Sequence, residues 1–441
     1  MSSVFLPLLA KDRDELSLTD KKPTYTEAEA RAEAERCIYC VDAPCIKACP
    51  TEIDIPTFIK KIATGNVRGS AATIFDQNIL GYSCARVCPV EVLCVGSCVY
   101  TGWHRDPIQI GKLQRFATET AVATAKSPLF AAKPPSGKKV ALIGAGPASL
   151  ACAAYLSLAG HKAVVFEKRA LPGGLNTTGI APYKLHVEDA LHEIAWVESF
   201  GVEIKTGIEI GKQLTANQLL AEYDAVYIGV GLGADSKLGI PGEEGPGVFG
   251  ATQWIEHMKL APSPKKSLGR VLVIGGGNTA IDVARECALL GAKDVAMVYR
   301  RGPEAMSGYA HEMSGARHET VRLIAHATPK EFLRDGNGQL VGLRVTTGVA
   351  ASGRVEEVDL PCDLVALAIG QSKVRGIASE FSGVEVDASG CIKADPKNGM
   401  TGNPKVFSGG DCINGGKEVV NAVADGRNTA RYLDEIWSKK N

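Results

Sequence analysis

The sequence predicts an α/β protein in which two similar strand–turn–helix–strand units follow an α-helical region that is rich in cysteine. The chain has 441 residues, of which 45% are hydrophobic and 22% are charged. A chain of this length and composition suits about two to four globular domains. The segments VALIGAGPAS and VLVIGGGNTA align with each other, so the unit occurs twice. Eight of the thirteen cysteines lie between Cys37 and Cys98, ahead of both units.

Charge and hydropathy exclude several classes of protein. The formal net charge is zero, so we expect neither a nucleic-acid partner nor a membrane surface. The uncharged stretch Ala141–Gly160 is long enough to cross a bilayer, but Gly144, Gly146 and Pro147 near its start indicate a buried strand, a tight turn and a packed helix. Met1–Leu9 lacks a basic start and a cleavage site. We therefore expect a cytoplasmic protein whose cysteines bind metal rather than form disulfides.

The N-terminal region is predicted to be helical and to carry cysteines in two runs. Residues 24–36 are charged and rich in alanine, which favours a helix leading into the first run, and a further helix is expected at Ile55–Thr64. The runs are Cys37-x2-Cys40-x4-Cys45-x3-Cys49-Pro50 and Cys84-x3-Cys88-Pro89-x4-Cys94-x3-Cys98. The other cysteines are scattered and are expected to fill small core positions. They are Cys152, Cys287, Cys362, Cys391 and Cys412.

Thiolates at these spacings, with proline after a ligand, are typical of cubane 4Fe–4S clusters held by short loops. The bacterial ferredoxin run is related, but four residues rather than two precede the third cysteine here. In that run the fourth cysteine ligates the other cluster, so an exchange of ligands between the runs is also open here. Zinc is the alternative, but its sites take four cysteines in two separated pairs. The sequence favours two 4Fe–4S clusters, and spacing alone makes all eight thiols candidate ligands.

The first strand–turn–helix–strand unit, Val140–Glu167, carries the pattern G-x-G-x-x-small after its first strand. Gly144 makes the tight turn, Gly146 lets a pyrophosphate approach the backbone, and Ser149 is small enough for the helix to pack on the strand. The helix N-terminus then holds phosphates through its free N–H groups and its dipole. Glu167 lies 23 residues after Gly144, where a carboxylate accepts hydrogen bonds from ribose hydroxyls.

Two later features favour FAD as the ligand of this unit. Gly173-Gly174 follows Glu167 by six to seven residues and allows another close approach to the backbone. Asp411, in FSGGD, lies where flavoproteins with two dinucleotide domains bond the ribitol chain. The predicted FAD-binding residues are Gly144, Ala145, Gly146, Pro147, Ser149, Glu167, Lys168, Gly174, Leu175, Lys184, Gly410 and Asp411.

The second unit is predicted to bind a nicotinamide dinucleotide. Its second strand ends in Arg300 and Arg301, where the first unit has Glu167. An acid suits a free 2′-hydroxyl, whereas an arginine offers a charge-assisted fork to a 2′-phosphate, so NADPH is favoured. The alternative is that Arg300 only stacks on adenine, which also suits NADH. The predicted NAD(P)H-binding residues are Gly275, Gly276, Gly277, Asn278, Thr279, Ala280, Arg300, Arg301 and Gly370.

These features predict two Rossmann-like dinucleotide-binding domains, one for FAD and one for NAD(P)H, preceded by an α-helical iron–sulphur domain. Further buried strands ending in glycine are expected at 361–370 and 404–411, and they return the chain to the FAD domain. The segment before the first unit is rich in Pro, Gly, Ser and Lys, which is typical of a linker. The predicted ranges are 1–125 for the helical domain with two 4Fe–4S clusters, 126–139 for the linker, 140–248 and 371–441 for the FAD domain, and 249–370 for the NAD(P)H domain.

The whole chain resembles the half of dihydropyrimidine dehydrogenase that takes up electrons, and the separate bacterial subunit corresponding to it. The resemblance runs through RCIYCVDAPCIKACP, CARVCPVEVLCVGSC, IGKLQRFATE, GAGPAS, EKRALPGGL and FSGGD. The glutamate synthase small subunit and the flavin-rich subunit of ferredoxin-linked transhydrogenases are similar overall. The VDAPC turn resembles the first family more than the NPxC turn of the others.

The resemblance also implies a ligand set, in which a glutamine replaces one cysteine at the second cluster. The motif is Leu113-Gln114-Arg115-Phe116 here, and the related families usually have glutamate at the position of Gln114. The family pattern assigns Cys37, Cys40, Cys45 and Cys98 to one 4Fe–4S cluster, and Cys49, Cys88, Cys94 and Gln114 to the other. Cys84 is then not a ligand, although its spacing alone makes it a candidate.

By the same resemblance, the chain is expected to be the NAD(P)H-oxidising subunit of dihydropyrimidine dehydrogenase. Hydride passes to FAD, and single electrons pass through the two clusters to an FMN-containing partner subunit with further iron–sulphur clusters, which reduces uracil or thymine. A hetero-oligomer is expected, because the family's FMN-binding barrel has no counterpart in this sequence. GIAPYKL replaces the family's GIPQF-[RK]-L, which alters the expected flavin-ring contacts near Lys184.

Other functions remain open from the sequence. One is an electron donor resembling the glutamate synthase small subunit or a transhydrogenase subunit, and another is a stand-alone diaphorase. A third is a cluster-bearing assembly scaffold without turnover. No residue is expected to act as a protein acid or base, because hydride transfer at FAD needs alignment of the two cofactors.

Overall fold

A helical region and two parallel five-stranded sheets make up the fold. The computed structural model describes residues 4–124, 128–264, 267–348 and 355–439. The predicted α/β class, with two Rossmann-like units behind a helical cysteine-rich region, is confirmed. Residues 126 and 127 of the predicted linker lie outside the described residues, and residues 128–138 contain no helix or strand.

The helical region packs its helices around an apolar core that also receives the cysteine loops. Its first helix begins with a capping box, in which Thr26 accepts a hydrogen bond from the Glu29 backbone N–H and donates its own backbone N–H to the Glu29 carboxylate. The helices are α1 (Glu27–Glu35), α2 (Pro44–Lys47), α3 (Ile55–Ala63), α4 (Val67–Gln77), α5 (Gly81–Val87), α6 (Val99–Gly102) and α7 (Ile110–Thr124). The predicted helices at 24–36 and Ile55–Thr64 correspond to α1 and α3.

The first sheet starts the FAD-type unit. Its strands are β1 (Lys139–Ile143), β2 (Lys162–Glu167), β3 (Glu203–Thr206) and β4 (Ala225–Ile228), all parallel. The helices between them are α8 (Pro147–Leu158), α9 (Leu175–Thr178), α10 (Val187–Glu198) and α11 (Ala216–Glu222). β1 and most of α8 are buried, which explains the uncharged stretch at Ala141–Gly160. Among the described residues, no helix is both long and apolar enough to cross a membrane.

The second sheet repeats this plan and adds a small antiparallel sheet on its far side. Its parallel strands are β5 (Val248–Gly250), β6 (Arg270–Ile274), β7 (Asp294–Val298), β8 (Arg322–Ile324) and β12 (Leu364–Leu367), in the order β5-β12-β6-β7-β8. Its helices are α12 (Ala251–Leu260), α13 (Asn278–Leu289) and α14 (Ala310–His318). The antiparallel strands are β9 (Ala327–Arg334), β10 (Leu340–Thr347) and β11 (Glu356–Pro361).

The chain then returns to the first sheet and completes it. The returning elements are α15 (Arg375–Ser379), β13 (Val406–Ser408), α16 (Asp411–Asn414) and α17 (Val419–Ser438). β13 joins β4, which gives the strand order β13-β4-β1-β2-β3. The five cysteines outside the two runs are all buried, as predicted for small core residues.

Two buried cations tie the units together. Lys259, at the end of α12, donates from Nζ to the backbone carbonyls of Asn176, Ile180 and Leu185 at 3.2, 3.1 and 2.8 Å. These carbonyls belong to the other dinucleotide unit, and burial lowers the pKa of Lys259 to about 8. Arg427 of α17 donates to the carbonyl of Gln77 at 3.1 Å and so joins the C-terminal helix to the helical region.

Candidate functional site

A cleft of about 1390 Å³ lies between the two dinucleotide units. It is large enough for an extended cofactor, since ligand pockets are typically about 300–1,000 Å³. Most of the predicted FAD-binding residues line it. They are Gly144, Gly146, Pro147, Glu167, Lys168, Gly174, Leu175, Lys184, Gly410 and Asp411. The cleft brings these together with Asn278 and Thr279 of the second unit.

The glycine turn between β1 and α8 has the geometry that a pyrophosphate needs. Gly144 has φ +86°, and a Cβ there would lie 2.8 Å from the carbonyl oxygen of Gly229. Gly146 ends the turn, and α8 begins at Pro147 with its free N–H groups facing the cleft side of the sheet. Gly174, with φ +55°, comes so close that its Cβ would lie 3.0 Å from the Cα of Gly146. Gly144 and Gly174 thus allow close approach of the backbone beside the N-terminus of α8, and this arrangement fits a dinucleotide phosphate.

Glu167 is buried at the end of β2 and is fixed by backbone groups. Its Oε2 accepts a hydrogen bond from the backbone N–H of Ala145 at 2.8 Å, and its Oε1 accepts one from Arg169 at 2.8 Å. Each carboxylate oxygen has a second lone pair, which remains free for a ribose hydroxyl. Ala145 and Ser149 do not line the cleft. Ser149 lies behind it, where its Oγ would be 2.3 Å from a Cβ at Gly229, so its small size serves helix–strand packing.

Asp411 begins the short helix α16 on the opposite wall of the cleft. Its Oδ1 accepts a hydrogen bond from the backbone N–H of Lys417 at 3.1 Å, and burial raises the pKa of its carboxyl group. The neighbouring Gly410, with φ +77°, donates its N–H to the Asp425 carboxylate at 2.9 Å. The strand-end carboxylate of Asp411 thus faces the same space as the glycine turn, as the flavin prediction requires.

The second unit presents only part of its predicted site to the cleft. Asn278 and Thr279 line it, and the Asn278 Oδ1 accepts a hydrogen bond from the backbone N–H of Tyr309 at 2.8 Å. Gly275, Gly276 and Gly277 form the turn before α13, and a Cβ at Gly276 would lie 2.6 Å from the Tyr299 ring. These three glycines do not line the cleft.

The remaining predicted residues of the second unit lie around that turn. Arg300 and Arg301 are exposed after β7, and the Arg301 guanidinium lies 5.5 Å from the centroid of the Tyr299 ring. Within the described residues no ion pair is formed by either arginine, so both guanidinium groups are free to meet an anion. Ala280 is fully buried and packs in the core, and Gly370 is exposed with φ +106°.

Lys184 has partners that the sequence did not indicate. Its Nζ lies 2.7 Å from the Asp282 carboxylate and 2.8 Å from the Glu312 carboxylate, both from the second unit. The adjacent Tyr183 is fully buried and donates its hydroxyl to Asp282 at 2.7 Å. Arg285 bonds the other oxygen of Glu312 at 2.6 Å. Lys184 therefore lines the cleft and also joins the two units. The family pattern predicted its place at the flavin site but not the contact between the units.

The two cysteine runs fold into two groups of side chains. Cys37, Cys40, Cys45 and Cys98 line one small cavity with apolar neighbours such as Ile55 and Ile59. Burial, together with the nearby thiols of Cys37 and Cys98, raises the pKa of the Cys45 thiol to about 12. No three His, Cys, Asp or Glu side chains in the described part of the chain converge tightly enough for a single metal ion. Thiols that share an apolar cavity suit a cluster, whose ligands surround a larger body.

The second group contains Cys49, Cys88 and Cys94, with Cys84 close by. A hydrogen bond with Cys84 and burial raise the pKa of Cys88, and the proximity of Cys49 and Cys94 raises it further. Burial likewise raises the pKa of Cys94 to about 12, and its nearest thiols are Cys49 and Cys45. Cys94 thus stands between the two groups. This arrangement is compatible with both ligand sets. One set has four thiols, including Cys84, and the other has three thiols together with Gln114.

The helix α5, which leads to the second group, contacts Gln114 at its start and reaches the cleft at its end. The buried Gln114 donates from Nε2 to the carbonyl of Gly81 at 2.9 Å, which leaves its Oε1 without a protein donor among the described residues. Gly81 begins α5, the helix that leads to Cys88. Val87 and Pro89, the neighbours of Cys88, line the large cleft. The second group is therefore the one adjacent to the cleft.

Comparisons with known proteins agree with this arrangement. Residues 15–126 match the family described as dihydropyrimidine dehydrogenase domain II, 4Fe–4S cluster. Residues 138–426 match the family described as pyridine nucleotide-disulphide oxidoreductase. The glutamate synthase [NADPH] small chain of Escherichia coli K12 is 34% identical over 92% of this chain and 91% of its own length. The NAD-dependent dihydropyrimidine dehydrogenase subunit PreT of E. coli O157:H7 is 37% identical over 94% of this chain and 96% of its own length.

Solved structures show the same fold at low sequence identity. Thioredoxin reductase of T. acidophilum has a TM-score of 0.56 at 20% identity, over 69% of this chain and 99% of its own. A 2-naphthoyl-CoA reductase complex has a TM-score of 0.54 at 20% identity, over 88% of this chain and 49% of its own. The predicted FAD, NAD(P)H and 4Fe–4S binding and the oxidoreductase activity are confirmed by the matched families. The chain belongs to the pyridine nucleotide-disulphide oxidoreductase family, carries a dihydropyrimidine dehydrogenase type of 4Fe–4S domain before it, and is an NAD(P)H-dependent flavin and iron–sulphur oxidoreductase.

Proposed function

We propose that this chain is the NAD(P)H-oxidising subunit of a dihydropyrimidine dehydrogenase. The observation that carries the proposal is Gln114, which is buried against the start of α5, the helix that leads to Cys88, with its Oε1 free of protein donors among the described residues. A neutral amide oxygen at this place suits the glutamine-ligated cluster of that family. Relatives named NAD-dependent dihydropyrimidine dehydrogenase subunit PreT, at 34% to 37% identity over 94% to 96% of the chain, support it.

The order of the sites supports a relay from the cleft to the cysteines. When bound, FAD accepts a hydride from the nicotinamide, and 4Fe–4S clusters accept electrons singly. Gly144, Gly146 and Glu167 line the cleft and would hold the dinucleotide end of the flavin. Cys88 lies between two cleft-lining residues, and Cys94 links its group to that of Cys45. A cluster held by the second group would therefore be the nearer electron acceptor to the cleft, and a cluster held by the first group would stand further along the relay toward a partner.

We propose two 4Fe–4S clusters, held by Cys37, Cys40, Cys45 and Cys98 and by Cys49, Cys88, Cys94 and Gln114. Protein purified without oxygen should contain one FAD and about eight irons, since each such cluster holds four. Iron, acid-labile sulphide and flavin are measured per chain. Stoichiometric zinc with little iron would contradict the proposal.

We further propose that the reduction of uracil or thymine takes place on an FMN-containing partner subunit with its own clusters, in a cytoplasmic hetero-oligomer. The isolated chain should reduce artificial acceptors with NAD(P)H and leave uracil unchanged. Adding an FMN-containing partner subunit should start uracil reduction. Steady uracil reduction by the purified single chain would refute this division of labour.

An electron donor of the glutamate synthase type is the second candidate. The 34% identity to the E. coli glutamate synthase small chain over 92% of this chain favours it. The same reconstitution distinguishes the two candidates, because a synthase partner would yield glutamate and no dihydrouracil. A stand-alone diaphorase would show full turnover with artificial acceptors and no coupling to either partner.

A further inference from the structure

Arg427 is a buried cation that forms no ion pair with any of the described residues. It lies in α17, the C-terminal helix, and is only 3% exposed. Its guanidinium donates to the backbone carbonyls of Thr51 and Gln77 and to the side-chain oxygens of Gln77 and Asn428. All of these acceptors are neutral, so none of them compensates the positive charge. A buried charge is costly unless an opposite charge lies near it.

The guanidinium of Arg427 reaches the turn that follows Cys49. The Thr51 carbonyl accepts its hydrogen bond, and the Thr51 Oγ1 lies 3.3 Å from the Cys49 Sγ. Thr51 is fully buried, and the backbone N–H of Glu52 donates to the Cys49 carbonyl at 2.8 Å, which closes the turn. Glu52 is the acid of this turn, but it is exposed, so water screens its charge. One buried residue therefore separates the cation from a thiol of the second cysteine group.

The protein around Arg427 disfavours its charge and yet holds it in place. Burial and the neighbouring Arg431 guanidinium lower the pKa of Arg427, but an arginine side chain stays protonated in proteins. The compensating negative charge is then expected from a group that binds beside it. A 4Fe–4S cluster with thiolate ligands is such an anion. Because several hydrogen bonds fix the guanidinium, little rearrangement is needed when the charge on a cluster changes.

We infer that Arg427 is the counter-charge of the second 4Fe–4S cluster and raises the reduction potential of that cluster. The inference rests on the proposed function and its ligand set, in which Cys49 is a ligand of this cluster. Reduction makes the cluster more negative by one electron, so a fixed cation beside it stabilises the reduced state more than the oxidised state. Arg427 itself gains or loses neither a proton nor an electron. The cluster nearer the cleft is thereby the better acceptor of electrons from the flavin.

The test compares Arg427→Gln and Arg427→Lys in the full chain, with Arg431→Gln as the matched control. The glutamine removes the charge but keeps an amide donor for the Thr51 carbonyl, whereas the lysine keeps the charge. Arg431 lies one turn later on the same helix and donates to the same Gln77 side chain at 3.3 Å, but it is exposed. Iron content and an EPR-monitored redox titration of both clusters are measured at low and at high salt. Neither readout depends on turnover.

We expect Arg427→Gln to keep its iron and to lower the ratio of reduced to oxidised second cluster about tenfold at a fixed potential, which equals about 59 mV for one electron. This shift should persist at high salt, because buried charges are screened little. Arg427→Lys and Arg431→Gln should stay within about threefold of the unchanged protein, the first because it keeps the charge and the second because water screens an exposed charge. The first cluster should change less than the second in every variant.

Full iron with an unchanged potential of the second cluster in Arg427→Gln would overturn the inference and leave the proposed function intact. An equal shift in the lysine variant, or in Arg431→Gln, would also contradict a role for the buried charge. If the glutamine variant loses the second cluster, the lysine variant decides. Retention of the cluster with lysine supports the counter-charge, and loss in both variants contradicts it. A single cluster, or zinc, in the unchanged protein would instead refute the proposed ligand set and the inference with it.

Discussion

The two dinucleotide units share one backbone plan but differ at the end of the second strand. In the first unit, β2 ends in Glu167, which is buried and bonded to the backbone N–H of Ala145 in its own glycine turn. In the second unit, β7 is followed by Arg300 and Arg301, which are exposed and lack ion-pair partners among the described residues. The Glu167 carboxylate of the first unit is thus hydrogen-bonded within the protein, whereas the second unit presents two guanidinium groups without ion-pair partners among the described residues.

This difference indicates how a duplicated fold takes on two tasks. The glycine turn and helix N-terminus are kept in both copies because any dinucleotide needs a place for its pyrophosphate. A carboxylate that is fixed within the protein suits a cofactor that stays bound. Free guanidinium groups suit a nucleotide that binds and dissociates in each catalytic cycle, because they can form charge-assisted hydrogen bonds each time it binds.

The largest expected effect concerns the junction between the units. Lys184→Met should lower the free energy of unfolding by about 3–5 kcal/mol, because removing the ammonium leaves the buried Asp282 carboxylate without a cation among the described residues. The Lys184 side chain is only 14% exposed, and its two acceptors, Asp282 and Glu312, are similarly covered. Urea unfolding followed by circular dichroism measures the loss. Lys212→Met, at an exposed ion pair, is the control and should leave the midpoint unchanged. A loss below about 1 kcal/mol would mean that the junction is not a structural tie.

The next prediction separates the two glycine turns. A Cβ at Gly146 would come no closer than 3.8 Å to its nearest neighbour, and one at Gly277 no closer than 3.5 Å, so alanine fits the protein at both places. Gly146→Ala should raise the dissociation constant of FAD about 100-fold, or roughly 3 kcal/mol, because it fills the pyrophosphate space. Gly277→Ala should keep the flavin and weaken NAD(P)H by a similar factor. Flavin absorbance measures the first effect and nucleotide titration the second. A single variant that loses both ligands would contradict the assignment of one dinucleotide to each turn.

The strand-end arginines should show a smaller and selective effect. Replacing both Arg300 and Arg301 with alanine should weaken NADPH by about 1–3 kcal/mol more than NADH, because a charged hydrogen bond to the 2′-phosphate is lost. Dissociation constants for the two nucleotides provide the measurement. Lys293→Ala, at the other end of β7, should affect neither nucleotide. Equal weakening of both nucleotides would show that the arginines do not recognise the phosphate.

The smallest expected effect lies at the same junction as the largest. Tyr183→Phe should cost about 1 kcal/mol of unfolding free energy, since one hydrogen bond to Asp282 is lost while Lys184 still compensates the carboxylate. The urea titration used for Lys184→Met measures it. A loss as large as that of the lysine variant would show that the hydroxyl, and not the ammonium, holds the junction.

Patterns of neighbouring residues in the sequence predicted those features of the fold that depend on neighbouring residues alone. The turn at Gly144, the strand end at Glu167 and the buried stretch Ala141–Gly160 all follow from periodicity, glycine and the absence of charge. The pairing of the runs, with Cys98 beside Cys37, came from the family resemblance, because spacing along the chain does not determine which loops meet.

Contacts between domains could not be predicted in the same way. The partners of Lys184 come from α13 and α14, which lie about 100 residues or more further along the chain. Their meeting depends on how two separately folded sheets are placed, and no periodic pattern records that placement. The antiparallel sheet of β9, β10 and β11 was missed for a different reason. It lies beyond the repeated unit and carries none of its glycine signals.

The contact made by Lys259 has a kinetic consequence. Its ammonium, buried in the NAD(P)H domain, donates hydrogen bonds to three backbone carbonyls of the FAD domain. Separation of the two domains would break all three hydrogen bonds together and leave the buried ammonium and the three carbonyl oxygens without these partners. Nucleotide exchange is therefore expected to proceed with the two domains in place. Turnover should accordingly respond weakly to solvent viscosity, because no large body has to move through the solvent in each cycle.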